Sequence, residues 1–321
     1  APLHNSKIDP DEMKAIRTSY DEMFERCAQT RAGFIHTADH RGTFEVSAKE
    51  RYEFWEQLYA SPGFGIWQGN FKDIGTDPEA NKAMSDFLAD KIRGRVNNPI
   101  LAEKLIPKDH GFGTRRVPLE TNYYESYNQK NVELIDISDT PIERVTQDGI
   151  LTTDKEFEFD FIIYATGFDA IFGSYNRIDI RGVNQRRLKD QWEEELATFL
   201  GFQTRGFPNL FMIMGPHSMQ GNNPRNIEYN VEWITDVIKY MIDRRLTRAE
   251  ASSESQNGWH EYVLEQGKDL LMTQVDSWFT GINSNIEGRQ TRITAMYRGS
   301  MQSFRNRCEE AAQNGYKELW S

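Results

Sequence analysis

Residues 160–170 read DFIIYATGFDA, a compact apolar run that ends in small residues. The successive bulky side chains at 161–164 predict a buried strand, and residues 210–214 form a second run of this kind that ends in Gly-Pro. In open α/β sheets the strand ends face the ligand crevice, where glycine lets the backbone approach a flat cofactor. Thr166 and Gly167 therefore indicate either such a crevice or an ordinary turn.

Further strand and helix signals flank this run on both sides. Residues 142–146, 150–153 and 156–159 alternate like short antiparallel strands, and residues 132–137 predict one more. Downstream, the pattern predicts a long helix from about 224 to 244 and two further helices over roughly 253–271 and 301–313. The apolar face expected for the long helix consists of Ile227, Val231, Ile234, Ile238 and Met241.

The N-terminal third carries helix signals and no strand signals. Asp9 and Asp77 each precede a proline, as a capping acid does at the start of a helix. Ser47 and Glu50 form a capping box, and Asn98 followed by Pro99 opens a short fourth helix. The fold class expected is therefore α/β, with an all-helical appendage at the N-terminal side.

Composition excludes several classes of protein. The formal net charge of −11 leaves no broad basic surface for a nucleic acid, and no apolar run approaches the length of a membrane span. The two cysteines, Cys27 and Cys308, are too few for a disulfide scaffold and predict buried, reduced thiols. With no signal-peptide pattern either, we expect a soluble, cytoplasmic protein without membrane or nucleic-acid partners.

The usual motifs for nucleotides and metals are absent from the sequence. No GxGxxG, P-loop or GxSxG occurs, and Gly63, Gly65 and Gly69 have the wrong spacing for a nucleotide loop. His36 and His40 have the i, i+4 spacing of a helical metal site, but they lie in a loop-like stretch without a second ligand pair, so we predict no metal. This chain alone cannot cradle a pyrophosphate in the usual way.

A few polar residues are candidates for chemistry. The adjacent Arg115 and Arg116 suggest an anion site, although a solvated surface pair is the alternative. Asn222 and Asn223 open the long helix, whose free amides suit a negative charge but equally suit a helix start without a ligand. Trp278 is able to stack on a ring or to pack in the core.

At these residues the sequence resembles a known family. FGTRRVPLETNYYESYNQKNVELID at 112–136, DFIIYATGFDA at 160–170 and DSWFTGIN at 276–283 resemble, in family order, three segments of the type I Baeyer–Villiger monooxygenases. These are the segment with the active-site arginine, the second interdomain hinge and the C-terminal loop with its tryptophan. The resemblance covers essentially the whole chain.

The resemblance implies part of a flavoprotein with two dinucleotide-binding domains. Residues 1–110 correspond to the helical insertion of the NADP domain, 111–166 to the C-terminal part of that domain, and 167–321 to the C-terminal part of the FAD domain. The family's FAD loop, its FxGxxxHxxxW fingerprint and its NADP glycine loop have no counterpart, which amounts to about the first two-fifths of a family member. A shortened chain, an enzyme cleaved into two chains and a split gene all explain this absence.

The resemblance also implies an activity, in which FAD, NADPH and O₂ insert an oxygen next to a ketone carbonyl to give an ester or lactone. Arg116 is then the catalytic guanidinium that holds negative charge on oxygen, because arginine stays charged at any working pH. Oxygenation of sulfur or nitrogen, or an inactive fragment or binding subunit, are the alternatives. The remaining roles implied are cofactor contacts for Arg115 (at the NADP 2′-phosphate), Thr166, Gly167, Asn222, Asn223 and Trp278, and a substrate border at Met219 and Gln220.

Overall fold

Capped helices build the N-terminal third, as predicted. The computed structural model describes residues 1–320. The Asp9 carboxylate accepts hydrogen bonds from the backbone N–H groups of Asp11 and Glu12, and Ser47 with Glu50 forms the expected capping box. The helices are α1 (Pro10–Thr18), α2 (Tyr20–Gln29), α3 (Ala48–Ala60), α4 (Gly65–Gln68), α5 (Pro78–Arg95), α6 (Pro99–Leu105) and α7 (Tyr123–Ser126).

This region has a hydrophobic core of its own. Trp55 of α3 packs against Phe71 and Phe87, with ring centroids 6.2 and 5.5 Å from its own. Asn70 is buried among these rings, where its side-chain oxygen accepts hydrogen bonds from Trp55 Nε1 at 3.0 Å and from the backbone N–H of Phe71 at 2.8 Å. The core residues are Trp55, Ile66, Phe71, Ile74, Ala80, Met84 and Phe87.

The three short strands predicted upstream of residue 160 form one antiparallel sheet. Its order is β1 (Ile142–Val145), β2 (Gly149–Thr152) and β3 (Glu156–Glu158). Val145 pairs with Ile150 across the first hairpin, and Ile150 pairs with Phe157 across the second. The prediction of three short antiparallel strands is confirmed.

The other three predicted strands do not form within the described residues. Residues 132–137, 161–164 and 210–214 are extended or irregular, and they pair with no neighbouring strand in residues 1–320. A strand of a parallel sheet is stable only between neighbours that satisfy its backbone and cover its faces. Phe161 and Ile163 are instead 87% and 90% exposed, so an apolar pattern that normally marks a buried strand lies on the surface.

Helices complete the C-terminal half around a second core. The long helix α10 begins at Asn223 and ends at Arg244, as expected. Trp233 of α10 stacks on Phe202 at 4.6 Å between centroids, and Phe304 lies 5.9 Å from the same ring. The helices here are α8 (Gly173–Asn176), α9 (Leu188–Glu194), α10 (Asn223–Arg244), α11 (Ser253–Gly267) and α12 (Met301–Gln313).

The buried face of α10 agrees with the predicted one at Ile234, which is buried, and at Met241, which packs against the core, but differs from it elsewhere. Asn226, Asn230, Trp233, Ile234 and Val237 are buried, whereas the predicted core positions at 227, 231 and 238 are between 41% and 44% exposed. Hydrogen bonding decides this orientation, because Asn230 accepts from the backbone N–H of Met214 at 2.9 Å and Trp233 Nε1 donates to the Cys308 carbonyl at 3.0 Å. Apolar periodicity alone does not report such inward polar contacts.

The remaining sequence expectations concern cysteines, metals and membranes. Cys27 and Cys308 are both buried free thiols, as expected. Within residues 1–320, no group of three or more His, Cys, Asp or Glu side chains is arranged to hold a metal ion. In the same part of the chain, no helix combines the length and apolar character that crossing a bilayer requires.

Candidate functional site

A cavity of about 310 Å³ lies where the helical region meets the C-terminal half. Its walls come from the loop around residue 31, the turn at 111–116, the loop at 219–223 and the segment 270–299. Cavities of this size bind small molecules in many proteins. The aromatic residues that line it are Phe34, Phe64, Trp67, Phe71, Phe112, Trp278, Phe279 and Tyr297.

Backbone contacts fix two of these walls against each other. The backbone N–H of Asn222 donates to the Ala32 carbonyl at 2.9 Å, and its side-chain amide donates to the Gly33 carbonyl at 2.9 Å. The backbone N–H of Met301 donates to the Arg31 carbonyl, also at 2.9 Å. The loop of the helical region is thereby held against the start of α10 and the start of α12.

Arg116 lines this cavity and has no counterion within residues 1–320. Its guanidinium carbon lies 5.5 Å from the centroid of the Phe64 ring, and the residue is otherwise exposed. The preceding turn is rigid, because the Thr114 hydroxyl donates to the Gly111 carbonyl at 2.8 Å and Gly113 adopts a φ of 72°. A guanidinium without a counterion in such a place is free to meet an anionic ligand.

Arg115 points elsewhere. Its guanidinium pairs with Asp109 at 2.8 Å, and its Nε donates to the Asp276 carbonyl at 3.0 Å. The hydrogen bond from His110, followed by the charge of Arg115, lowers the pKa of Asp109 below its ordinary value. The two adjacent arginines therefore differ in kind, and a phosphate at Arg115 would compete with a carboxylate already bound there.

The other predicted ligand contacts divide between the cavity and its surroundings. Met219, Gln220, Asn223 and Trp278 all line the cavity. Trp278 is 37% exposed, and its ring lies 4.3 Å from that of the neighbouring phenylalanine. Asn222 lies behind the cavity wall, where its side chain holds the Gly33 carbonyl instead of capping α10.

Thr166 and Gly167 are not brought to the cavity. Both lie in the exposed extended segment that follows β3, and the Thr166 carbonyl accepts a hydrogen bond from the Asn285 side chain at 3.1 Å. Gly167 has a φ of 93°, a conformation that favours glycine. Within residues 1–320 these two positions border a surface loop, so their role in a crevice stays a prediction.

Arg31 and Arg298 also line the cavity, and the sequence did not single them out. Arg298 is only 6% exposed, whereas Arg31 is exposed at the cavity mouth. They lie 267 positions apart in the chain, and a hydrogen bond of 3.4 Å joins Arg31 Nη2 to the Arg298 carbonyl. No local motif marks either residue, because only the tertiary contact between the two loops brings them together.

Comparisons with known proteins identify relatives that match almost the whole chain. The chain is 43% identical over 319 residues to 2-oxo-Δ³-4,5,5-trimethylcyclopentenylacetyl-CoA monooxygenase of Pseudomonas putida, a match of 98% of this chain and 58% of that protein. It is 33% identical over 320 residues, 99% of its length, to a Baeyer–Villiger monooxygenase of Pseudooceanicola batsensis, of which it covers 58%. By sequence and fold, the chain belongs to the Baeyer–Villiger monooxygenase family.

Solved structures of the family superimpose on the chain. OTEMO in complex with FAD and NADP gives a TM-score of 0.93 at 41% identity, covering 99% of this chain and 59% of that one. Cyclohexanone monooxygenase from Rhodococcus sp. Phi1 bound to NADP⁺ gives 0.94 at 32% identity, with the same coverage. The chain thus corresponds to the C-terminal part of these monooxygenases and spans somewhat over half of their length. No protein-family model matches it.

Proposed function

We propose that the chain forms the C-terminal part of an enzyme that uses NADPH and O₂ to convert a ketone into an ester or lactone. The observation that carries this proposal is Arg116, a guanidinium without a counterion on the wall of an aromatic cavity. Two relatives support the substrate class: a cyclopentanone 1,2-monooxygenase of Comamonas sp., at 36% identity, and a cyclohexanone 1,2-monooxygenase of Acinetobacter sp., at 32% identity.

The residues of the cavity suit the ring ends of the two cofactors, FAD and NADP. Trp278 offers a flat ring with an accessible face, and Asn223 offers the open N-terminal end of α10. The chain has no glycine-rich loop for either pyrophosphate. We therefore propose that this chain contacts the ring ends of the cofactors and that a preceding segment binds their phosphates. When bound, FAD and NADPH would supply the redox chemistry that activates O₂.

The chain's own residues have simple tasks in this scheme. Arg116 holds negative charge on oxygen next to the carbonyl carbon, and its charge is permanent at working pH. Met219, which is 4% exposed, and Gln220 border the ketone. Arg116 is exposed in this chain, so the complete enzyme would have to exclude water from the cavity for the guanidinium to exert its full electrostatic effect.

The proposal divides the chain as the family does. Residues 1–110 are the helical insertion of the NADP domain, 111–166 complete that domain, and 167–321 complete the FAD domain. We also propose that a preceding nucleotide-binding segment, in the same or another chain, pairs with the exposed run at 161–168. The support is physical, because an apolar run with unpaired backbone suits an inner strand of a parallel sheet.

Arg116→Ala tests the proposed function in the enzyme that combines this chain with its preceding segment. We expect ester formation from cyclopentanone, followed by gas chromatography, to fall at least a hundredfold, because a preorganised charge of this kind contributes on the order of 10²–10³ in rate. Flavin absorbance should be retained. Arg116→Lys should recover part of the rate, since it keeps a charge without the planar fork. A near wild-type rate in Arg116→Ala would refute the assignment.

Oxygenation of nitrogen is a second candidate. A phenazine N-monooxygenase of Lysobacter antibioticus is 32% identical over 318 residues, so this chemistry occurs among the relatives. Product analysis with cyclopentanone and with phenazine separates the two, because N-oxide without ester would favour this candidate. A colourless preparation that oxygenates neither compound would indicate an inactive fragment or a binding subunit.

A further inference from the structure

The cavity carries a surplus of positive charge. Arg31, Arg116 and Arg298 line it, and none of its lining residues is an aspartate or glutamate. Lys72 lines it as well, but its ammonium group pairs with Glu45 at 3.2 Å. Within residues 1–320, none of the three arginines forms an ion pair, in a chain whose formal net charge is −11. An acidic protein with ample carboxylates thus leaves this cavity without one.

Arg298 is the most deeply buried of these cations, and one of its nitrogens has no partner in residues 1–320. It is 6% exposed, and its Nε has no hydrogen-bond partner within the described residues. Its other nitrogens contact the Phe279 carbonyl and the Met272 sulfur, the latter at 3.7 Å, and its guanidinium carbon lies 5.4 Å from the Phe279 ring centroid. All these partners are neutral, and burial lowers the pKa of Arg298 to about 10.

A buried cation without a counterion is costly for a protein to keep. Its retention is explained when a ligand supplies the missing anion, because a guanidinium binds a carboxylate through two parallel hydrogen bonds. Arg31 stands at the mouth of the same cavity, and its guanidinium donates to the Arg298 carbonyl at 3.4 Å. Together they give a cationic end to a cavity whose wall also carries Arg116.

We propose that Arg298, assisted by Arg31, binds a carboxylate carried by the ketone substrate, so that the preferred substrates are oxo acids. The inference rests on the proposed function and adds the substrate class. A carboxylate held at Arg298 would orient the carbonyl of the same substrate within the cavity that Arg116 lines. Holding the reacting groups in a favourable orientation accelerates a reaction without any additional catalytic group. The coenzyme's phosphates are a poorer match, because the arginine predicted to meet a phosphate, Arg115, lies outside the cavity.

Binding to the 321-residue chain tests this proposal independently of turnover. The probes are 2-oxocyclopentylacetate, its methyl ester and NADP⁺, titrated by calorimetry and by the fluorescence of Trp67 and Trp278, which line the cavity. We expect the acid to bind at least tenfold more tightly than the ester, as hydrogen bonds to a charged group require. Arg298→Met should abolish that preference, and Arg31→Met should reduce it.

The control variants are Arg298→Lys and Arg177→Met. Arg298→Lys keeps the charge and should keep part of the preference for the acid, while Arg177 is exposed, lies outside the cavity and should leave it unchanged. Circular dichroism melting identifies a variant that fails to fold, in which case Arg31→Met and Arg298→Lys decide the question. Equal binding of acid and ester by the wild-type chain, or binding of neither, overturns the proposal.

Two further outcomes separate this inference from the proposed function. If Arg298→Met weakens only the binding of NADP⁺, then Arg298 binds a phosphate of the coenzyme, and the proposed substrate class is wrong. If the acid binds through Arg298 but the complete enzyme converts neither the acid nor the ester with NADPH, the anion site stands and the proposed ketone oxidation fails.

Discussion

At the scale of single residues, His217 is the clearest example of a polar group held in an apolar place. It is fully buried, and its Nε2 donates to the Thr294 carbonyl at 2.7 Å. Its ring centroid lies 5.2 Å from that of His260. Burial, the largest cause, lowers the pKa of His217 from 6.5 to about 4, and the folded protein therefore keeps this ring neutral.

Stability should fall in mild acid because of this one ring. The unfolded chain binds a proton at His217 below about pH 6.5, whereas the folded chain does so only near pH 4. The stabilisation that the folded state gains by keeping His217 neutral is therefore complete above about pH 6.5 and is lost as the pH falls toward about 4. We expect a loss on the order of 3 kcal/mol in the free energy of unfolding, measured by urea denaturation between pH 7 and pH 4.

His217→Gln should flatten this pH dependence even if it lowers stability at pH 7. His40→Gln is the matched control, since the His40 side chain is 93% exposed and its removal should leave the profile unchanged. An identical pH profile in wild type and His217→Gln would show that other groups dominate acid unfolding.

At the scale of elements, local signals and tertiary context contribute differently. The caps at Asp9, Ser47 and Asp77 were readable because each cap is an interaction among residues a few positions apart. The apolar pattern at 161–164 and 210–214 predicts strands, but such a pattern indicates only that the side chains favour burial and not that a neighbouring strand is present. The apolar pattern misses part of the inward face of α10 for a related reason, because Asn230 accepts a hydrogen bond from the distant backbone N–H of Met214.

The exposed run at 161–168 provides the prediction for this scale. Ile163→Asp should leave the melting temperature of the isolated chain within about a degree or two, because the side chain is 90% exposed and contacts little. In the complete enzyme the same change should abolish flavin retention, since it would place a charge between sheet faces. Size-exclusion chromatography with flavin absorbance is the measurement.

Ile100→Asp is the control for that experiment. Ile100 is 73% exposed on α6, so the substitution introduces the same charge away from the extended run. Retained flavin in both variants would contradict the pairing proposed for residues 161–168.

At the scale of the whole molecule, a small loop around Gly33 is one of the contacts that join the helical region to the C-terminal half. Gly33 is buried there with a φ of 75°, and a Cβ at this position would lie 2.9 Å from Met301 Cε and 3.3 Å from Asn222 Cβ. The same loop places Arg31 at the cavity. Neither the contact nor the cavity was predictable from sequence, because α12 and the loop are joined only in the folded chain.

Gly33→Ala should loosen this junction. We expect faster tryptic cleavage after Arg31 and Arg41, followed by mass spectrometry, because both backbone strain and the close approach to Asn222 act against the docked loop. Gly63→Ala is the matched control, since Gly63 also has a φ of 75° but nothing lies within 4 Å of its Cβ position. Equal cleavage in the two variants would mean that strain alone, and not docking, is responsible.

The exposed segment after β3 also has a consequence for handling the purified protein. The backbone amide and carbonyl groups of this segment are free to pair with a second strand. Its exposed apolar side chains are those of Phe161, Ile163, Tyr164 and Phe168. Edges of this kind recruit copies of themselves, so light scattering should rise steeply with protein concentration. Arginine in the buffer, or a charged residue at position 163, should keep the solution clear.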